Sequence, residues 1–239
     1  MTRRDLHSIP MHLTGGNSHS AHGAPDAIEK VAAKVRLGRG QSMDFGGERP
    51  APVVLLRSGF LVVRLGYGHG ERASTAFVRP GEMIWLSSYR AVGPVSIAAA
   101  ETAVLLRVEE AKFEALIEKD ASVRCYALQQ ARRHNGADQL RIALLGALRG
   151  EERLAGFLLA LAAQRGAAHP SGTSLDLPVS RSDLAHHLAL NPDTLSRIVT
   201  RFKAEGLIAM PDRRTFRIVD LDGLSALSAV VRKWPVSMA

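Results

Sequence analysis

Residues 179–219 read VSRSDLAHHLALNPDTLSRIVTRFKAEGLIAMPDRRTFRIV and carry the strongest structural pattern in the chain. Ser180 is suited to cap a short first helix, because its hydroxyl can accept a hydrogen bond from a free backbone N–H of the first turn. Asn191 and Pro192 are typical of the N-cap and first turn of a second helix, and Gly206 is a suitable stop. Two short helices joined by a tight turn predict a helix-turn-helix.

The second predicted helix has one apolar face. Its apolar residues recur at i, i+3, i+4 and i+7, which is the periodicity of an amphipathic helix. The residues expected to be buried are Leu195, Ile198, Val199 and Phe202. The residues left on the opposite face are Asp193, Ser196, Arg197, Thr200 and Arg201.

The outer face of this helix is suited to read DNA bases. In the major groove an arginine can donate two hydrogen bonds to guanine, and a carboxylate can accept one from the cytosine amino group. Asp193 and Arg197 are four residues apart and share a face, with Ser196 beside them. The alternative is a solvated Asp–Arg pair, worth only about 0.3 kcal/mol. Two capped helices and a basic hairpin in one unit favour DNA binding.

Hydroxyl and cationic side chains surround these three residues. Such groups contact phosphates, which fix the position of a protein on DNA without reading its sequence. The predicted phosphate contacts are Ser180, Arg181, Thr194, Thr200, Arg201 and Lys203. Arg213 and Arg214 are expected to add two more, from a wing between two short strands.

The bulk composition fits a cytoplasmic protein with a polyanionic partner. With 239 residues, 46% of them hydrophobic, the chain can build two small cores. A net charge of +8 favours a polyanion, although RNA or a membrane surface would fit equally well. The single cysteine excludes an intrachain disulfide and suits a reducing compartment. The opening MTRRDLHSIPMHL has no apolar run long enough for a signal peptide or membrane span.

The N-terminal arm, residues 1–26, is rich in glycine, serine, histidine and proline and is expected to be mobile. It contains His7, His12, His19 and His22. Their irregular spacing and the lack of accompanying acids favour a solvated tail over a metal or haem site.

Residues 27–119 are predicted to form an antiparallel β-roll of the jelly-roll type. Short runs of β-branched and aliphatic residues alternate there with glycine turns. The runs are VVLLR, FLVVRL, STAFV, EMIWL, VSIAAA and AVLLRV. The fold class is therefore α+β, with the roll first and the winged helix-turn-helix, residues 150–239, last.

Residues 120–149 are predicted to form one long dimerisation helix, capped by Asp120. A row of residues at steps of three and four has the seam spacing of a two-stranded coiled coil. The row is Leu128, Ala131, Asn135, Asp138, Ile142 and Leu145. Cys125 falls beside this row and is expected to be buried and inert rather than a redox switch.

Asp138 leaves two arrangements of that seam open. Facing copies of Asp138 would repel each other, so this seam predicts a weakened dimer. In the other arrangement Asp138 is solvated and the seam runs through Leu140, Leu144 and Leu148.

Three motifs resemble the CRP/FNR family of homodimeric bacterial transcription factors. They are GEERLAGFLLAL at 150–161, SRSDLAHHLAL at 180–190 and DTLSR at 193–197. The resemblance covers roughly residues 31–227 and implies a β-roll sensor, a dimerisation helix and a winged helix. DTLSR is similar to the E-x-x-S-R signature of the FNR and FixK branches, with aspartate for glutamate. It implies that Asp193, Ser196 and Arg197 read a palindromic TTGA-type site, with RNA polymerase as a further partner.

The resemblance also implies which sensors the chain lacks. Cyclic-nucleotide-binding members carry Gly-Glu followed by Arg-Ser, where this chain has Trp85-Leu86 and then Gly93-Pro94. A cyclic phosphate would find no cation there. Oxygen-sensing members carry an N-terminal cysteine cluster for an iron–sulfur centre, and the arm has no cysteine. We therefore expect a constitutive regulator without a cofactor.

Two other functions would require ligand residues elsewhere in the chain. A haem or nitric-oxide sensor of the same family would use an arm histidine or Met83 as ligand. A metal-dependent, cupin-like enzyme would need several inward ligands on neighbouring strands, and the roll offers only His69. No catalytic motif occurs elsewhere, so we expect no enzymatic activity.

Overall fold

A computed structural model describes residues 25–45, 51–66, 72–90, 92–165, 167–169, 172–212 and 215–227. These residues fall into two compact units. The roll unit comprises the described residues within Ser20–Arg133 and Pro178–His187, and the winged unit those within His134–Leu177 and Leu188–Ala239. The predicted domain limits 1–26, 27–119, 120–149 and 150–239 stay predictions.

The roll unit contains two antiparallel four-stranded sheets. Its strands are β1 (Ala33–Leu37), β2 (Ser42–Asp44), β3 (Val53–Ser58), β4 (Leu61–Gly66), β5 (Arg72–Val78), β6 (Met83–Trp85), β7 (Val95–Ala99) and β8 (Ala103–Val108). One sheet has the order β1-β8-β3-β6 and the other β2-β7-β4-β5. All six predicted runs form strands, so the antiparallel roll is confirmed.

The core of the roll lies between these sheets. Alternate residues of the strands point inward and are buried, for example Val54 and Leu56 on β3 with Leu105 on β8. Gly59 has a φ of +88° in the β3–β4 turn, and a Cβ there would lie 2.4 Å from the Thr102 carbonyl oxygen. Only glycine fits this close approach of two chain segments.

Three short helices of the roll unit were not predicted from the sequence. They are α1 (Asp26–Val31), α2 (Leu86–Arg90) and α3 (Glu110–Lys119). Buried side chains on α1 and α3, including Ile28 and Phe113, form a second apolar cluster against the outer face of the sheet.

The long helix is α4, Ala121–Ala147, which begins in the roll unit and ends in the winged unit. Asp120 caps it as predicted, since Oδ1 accepts a hydrogen bond of 2.8 Å from the Ser122 N–H. The helix ends two residues before the predicted limit at residue 149. No helix in the described ranges is both long and apolar enough to cross a bilayer.

The remaining helices are α5 (Gly150–Arg165), α6 (Arg181–His187), α7 (Pro192–Ala204) and α8 (Leu221–Leu227). The last sheet has the order β11-β12-β10-β9, made of β9 (Ala167–His169), β10 (Gly172–Asp176), β11 (Ile208–Ala209) and β12 (Thr215–Ile218). The α6 helix lies in the roll unit and α7 in the winged unit, although the sequence joins them by one short turn.

Candidate DNA-binding site

The ends of α7 are fixed by the residues that predicted them. Asn191 Oδ1 accepts a hydrogen bond of 2.8 Å from the Asp193 N–H, and Pro192 occupies the first turn. Ala189 has a φ of +50° in the preceding turn. Gly206 has a φ of +71° just after the helix ends, a conformation that glycine adopts without strain. These local signals place the recognition helix within one residue of its expected limits.

The two faces of α7 divide as predicted. The apolar residues Leu195, Ile198, Val199 and Phe202 are all buried. The residues expected to meet DNA are exposed, namely Asp193, Thr194, Ser196, Arg197, Thr200, Arg201 and Lys203. Burial of the apolar face thus fixes which side chains a DNA duplex can reach.

Asp193 and Arg197 do not pair with each other. Within the described residues, the Asp193 carboxylate and the Arg197 guanidinium make no ion pair or side-chain hydrogen bond. The solvated Asp–Arg pair considered above is therefore not formed. Both charged groups stay available to a ligand.

The hydroxyls of this face are held by the helix itself. Ser196 Oγ donates a hydrogen bond of 2.9 Å to the Pro192 carbonyl, and Thr200 Oγ1 donates one of 3.0 Å to the Ser196 carbonyl. Each hydroxyl oxygen keeps lone pairs to accept from a base or a bridging water.

Arg201 differs from Arg197 because it has partners inside the protein. Its guanidinium forms an ion pair with Glu151 on α5, and its Nε lies 3.8 Å from Glu205 Oε1 on its own helix. Both partners compete with phosphate for Arg201. No local sequence pattern indicates this ion pair, because Glu151 and Arg201 are far apart along the chain.

Arg153 forms a second link that no local sequence pattern indicates. Its guanidinium donates to the carbonyls of Leu145 (2.7 Å) and Leu148 (2.9 Å), at the end of α4. It also donates to Leu188 (3.1 Å) and Ala189 (3.3 Å), in the turn before α7. Carbonyls at helix ends lack intrahelical partners, and one arginine satisfies several of them here. Arg153 therefore ties the recognition helix's entry turn to the end of α4.

The start of α6 is a reciprocal cap. Ser180 Oγ accepts a hydrogen bond of 3.0 Å from the Asp183 N–H and donates one of 2.6 Å to Asp183 Oδ2. Ser180 is exposed, whereas Arg181 is half-buried, and burial lowers the pKa of Arg181. The Ser180 hydroxyl thus has a structural role besides any contact with phosphate.

The wing is described in part. β11 and β12 are paired antiparallel, as the predicted hairpin requires. Asp212 closes the loop between them by accepting hydrogen bonds from the Thr215 N–H (2.7 Å) and hydroxyl (2.8 Å). Arg213 and Arg214 lie outside the described residues.

The predicted dimer seam lies on an uncovered face of α4. Leu128 and Ile142 are 59% and 65% exposed, although apolar residues of this size are usually buried. Ala131, Asn135 and Asp138 are also exposed, and Leu145 is half-buried.

The alternative seam receives less support. Leu148 is only 8% exposed within its own chain, while the side chains of Leu140 and Leu144 lie outside the description. Cys125 is exposed, so the expectation of a buried cysteine is wrong for the single chain. The reason is that α4 packs on the roll through its opposite side, where Val123 and Tyr126 are buried.

The candidate sensor residues form no site in the described part of the chain. Met83 is fully buried among apolar side chains of the second cluster. The four arm histidines and His69 lie outside the described residues. No three histidine, cysteine, aspartate or glutamate side chains come together within the described ranges to hold a metal ion.

Comparison with known proteins agrees with this arrangement. Residues 152–227 match the family model for a Crp-like helix-turn-helix domain. The chain is 33% identical over 205 residues to the transcriptional regulatory protein Btr of Bordetella pertussis, covering 83% of this chain and 82% of that protein. It is 30% identical over 205 residues to the transcriptional activator FnrA of Stutzerimonas stutzeri, covering 85% of this chain and 84% of FnrA.

The fold is also shared with a solved structure. A CooA mutant from Carboxydothermus hydrogenoformans superposes with a TM-score of 0.70 at 20% identity, over 92% of this chain and 95% of that one. The chain belongs to the CRP/FNR family of transcription regulators. It is a DNA-binding regulator rather than an enzyme, with an antiparallel roll followed by a Crp-like helix-turn-helix.

Proposed function

We propose that this regulator binds a palindromic, TTGA-like DNA site as a homodimer and reads it with Asp193, Ser196 and Arg197. The observation that carries the proposal is that the charged side chains of Arg197 and Asp193 are available to a ligand. Both are exposed on an amphipathic recognition helix, and neither is neutralised by another described residue. Free, complementary groups at one end of such a helix are what base reading in the major groove requires.

Phosphate contacts are assigned to the hydroxyl and cationic side chains around this patch. The assigned residues are Ser180, Arg181, Thr194, Thr200, Arg201, Lys203, Arg213 and Arg214. Arg201 exchanges its ion pair with Glu151 for a phosphate in this scheme, so its contribution to affinity is smaller than that of an unpaired arginine.

The homodimer is proposed to form along α4. Exposed Leu128 and Ile142 support a seam through Leu128, Ala131, Asn135, Asp138, Ile142 and Leu145. A dyad along this helix would present two recognition helices to successive major grooves, about 34 Å apart. RNA polymerase is the further partner proposed for transcription control.

Regulation is proposed to need neither a cyclic nucleotide nor an iron–sulfur cluster. The family resemblance places Gly93-Pro94 where cyclic-nucleotide-binding members carry Arg-Ser, so a cyclic phosphate would find no cation there, and the chain has one cysteine. A haem-bound form is the alternative, and an absorption spectrum of the purified protein distinguishes the two by the presence of a Soret band.

Selection of bound duplexes from a random pool tests the proposed function. The expected product is an inverted repeat of TTGA-like half-sites with centres about one helical turn apart. A single half-site should bind much more weakly than the palindrome, because only one recognition helix is engaged. Enrichment of asymmetric sites, or no enrichment, would contradict the proposal.

A further inference from the structure

Asp183, in the first turn of α6, is held by two side chains of the roll. Arg64 on β4 donates Nε to Oδ1 (2.9 Å) and Nη2 to Oδ2 (2.8 Å), and Ser74 on β5 donates its hydroxyl to Oδ1 (2.5 Å). The Ser180 hydroxyl supplies a fourth hydrogen bond to the same carboxylate. Asp183 is only 6% exposed. A bidentate arginine fixes both the position and the orientation of a carboxylate.

The environment keeps Asp183 ionised. Burial of the carboxyl group acts to raise its pKa, but hydrogen bonds from Arg64, Ser180 and Ser74 and the charge of Arg64 together lower the pKa below its usual value. A buried carboxylate without these donors would be costly, so the ion pair specifies where α6 sits.

The C-terminal end of α6 is attached to β5, the strand that also carries Ser74. The His187 ring stacks on Phe77 of β5, with centroids 4.1 Å apart and planes inclined by 25°. Leu184 and Ala185, between the two anchors, are fully buried. The α6 helix is therefore anchored to the roll from Asp183 to His187, through Arg64 of β4 and Ser74 and Phe77 of β5.

Docking on β5 leaves the start of α6 open. Ser180 and Ser182 are exposed, while Asp183 points into the roll unit. The first helix of a helix-turn-helix crosses the DNA backbone, so this exposed turn is where phosphates approach. A carboxylate at that turn would repel phosphates unless a cation neutralised it, and Arg64 provides that charge.

We infer that Arg64 is a positioning residue for DNA binding: through Asp183 it fixes the first helix of the helix-turn-helix on the β-roll and neutralises the carboxylate beside the DNA backbone. This inference rests on the proposed function. It also makes β4 and β5 the strands whose movement would act directly on α6.

Arg64→Ala and a matched control, Arg57→Ala, test the inference in the full-length protein. Arg57 lies on β3, forms an ion pair with Glu29, and has the same side-chain exposure as Arg64, 30%. Both variants lose one positive charge. Arg64→Ala should weaken binding to an inverted TTGA duplex and to an unrelated duplex on the order of tenfold, whereas Arg57→Ala should stay within about twofold.

A double-mutant cycle with Asp183→Asn tests the route of the effect. If Arg64 acts through Asp183, then Arg64→Ala should change DNA affinity by less than about twofold in the Asp183→Asn background. An undiminished loss in that background would mean that Arg64 acts independently of Asp183, and would overturn the inference.

Amide hydrogen exchange supplies a readout without DNA. Arg64→Ala should accelerate exchange in α6 but not in α7, Arg57→Ala should not, and Arg64→Lys should restore part of the protection. If Arg64→Ala does not fold, Ser74→Ala removes one of the four hydrogen bonds and should give a smaller loss of the same kind.

Three further results would reject the assignment, and the third is distinguishable from the first two. Unchanged α6 exchange in the folded Arg64→Ala variant, or equal losses of DNA affinity for the Arg64 and Arg57 variants, would overturn this inference alone. A wild-type protein that binds neither duplex would overturn the proposed function and the inference with it.

Discussion

Arg197→Ala is expected to abolish sequence discrimination while leaving the fold intact. The side chain is exposed and has no partner among the described residues, so its removal breaks no internal contact. A bidentate contact with guanine is worth about 1–3 kcal/mol of discrimination. A homodimer uses the residue twice, which gives about 2–6 kcal/mol for a palindrome, or from roughly 30-fold to roughly four orders of magnitude.

The assay is a pair of titrations, with an inverted TTGA duplex and with a duplex in which both guanines are replaced. The ratio of the two dissociation constants should fall towards one in Arg197→Ala. Arg201→Ala is the matched control, since it removes an arginine from the same helix. It should weaken both duplexes equally and lower the free energy of unfolding by at most about 1 kcal/mol, because its ion pair with Glu151 is exposed to solvent. Base reading by Arg197 would be refuted if Arg197→Ala left the ratio of the two dissociation constants unchanged. It would also be refuted if Arg201→Ala lowered that ratio as much as Arg197→Ala does.

Three further predictions concern the dimer, the sensor and the acid stability of the roll. Asp138→Ala should dimerise at lower protein concentration than wild type, because the facing carboxylates no longer repel each other. Sedimentation across a dilution series measures the dimerisation. A variant dimer that is no tighter than wild type would mean that the seam does not run through Asp138. Millimolar cyclic AMP or cyclic GMP should not raise the melting temperature, because we expect neither nucleotide to bind. A ligand that did bind would stabilise the folded state by about 2.7 kcal/mol at a hundredfold excess over its dissociation constant, so a clear rise in melting temperature would contradict the prediction. Asp183→Asn should unfold in urea more easily than wild type above the ordinary pKa of 3.8, and this difference should shrink as the pH falls through the lowered pKa of folded Asp183. A difference that persists undiminished below that pH would mean that the charge of Asp183 does not hold α6.

Local sequence patterns determined the main strands of the roll and the helix starts of this protein. Ser180, Asn191 and Asp120 bond to backbone groups two or three residues away, so the helix starts could be found from the chain alone. The 3.6-residue period of α7 fixed its exposed face in the same way. Helix α3 lies inside the segment predicted as β-roll, although its Phe113, Leu116 and Ile117 have a helical spacing and pack in the second apolar cluster.

Contacts between distant residues were decided only by the tertiary structure. Arg64 and Asp183 are 119 residues apart, and no local pattern distinguishes Arg64 from the other arginines of the roll. The same holds for Arg201 with Glu151, and for Arg153 with the carbonyls of α4 and of the turn before α7. A cap or an amphipathic period depends on neighbours within one or two turns, so the sequence specifies it directly. A buried ion pair depends on which chain segments the sheets bring together, and only the folded chain determines that.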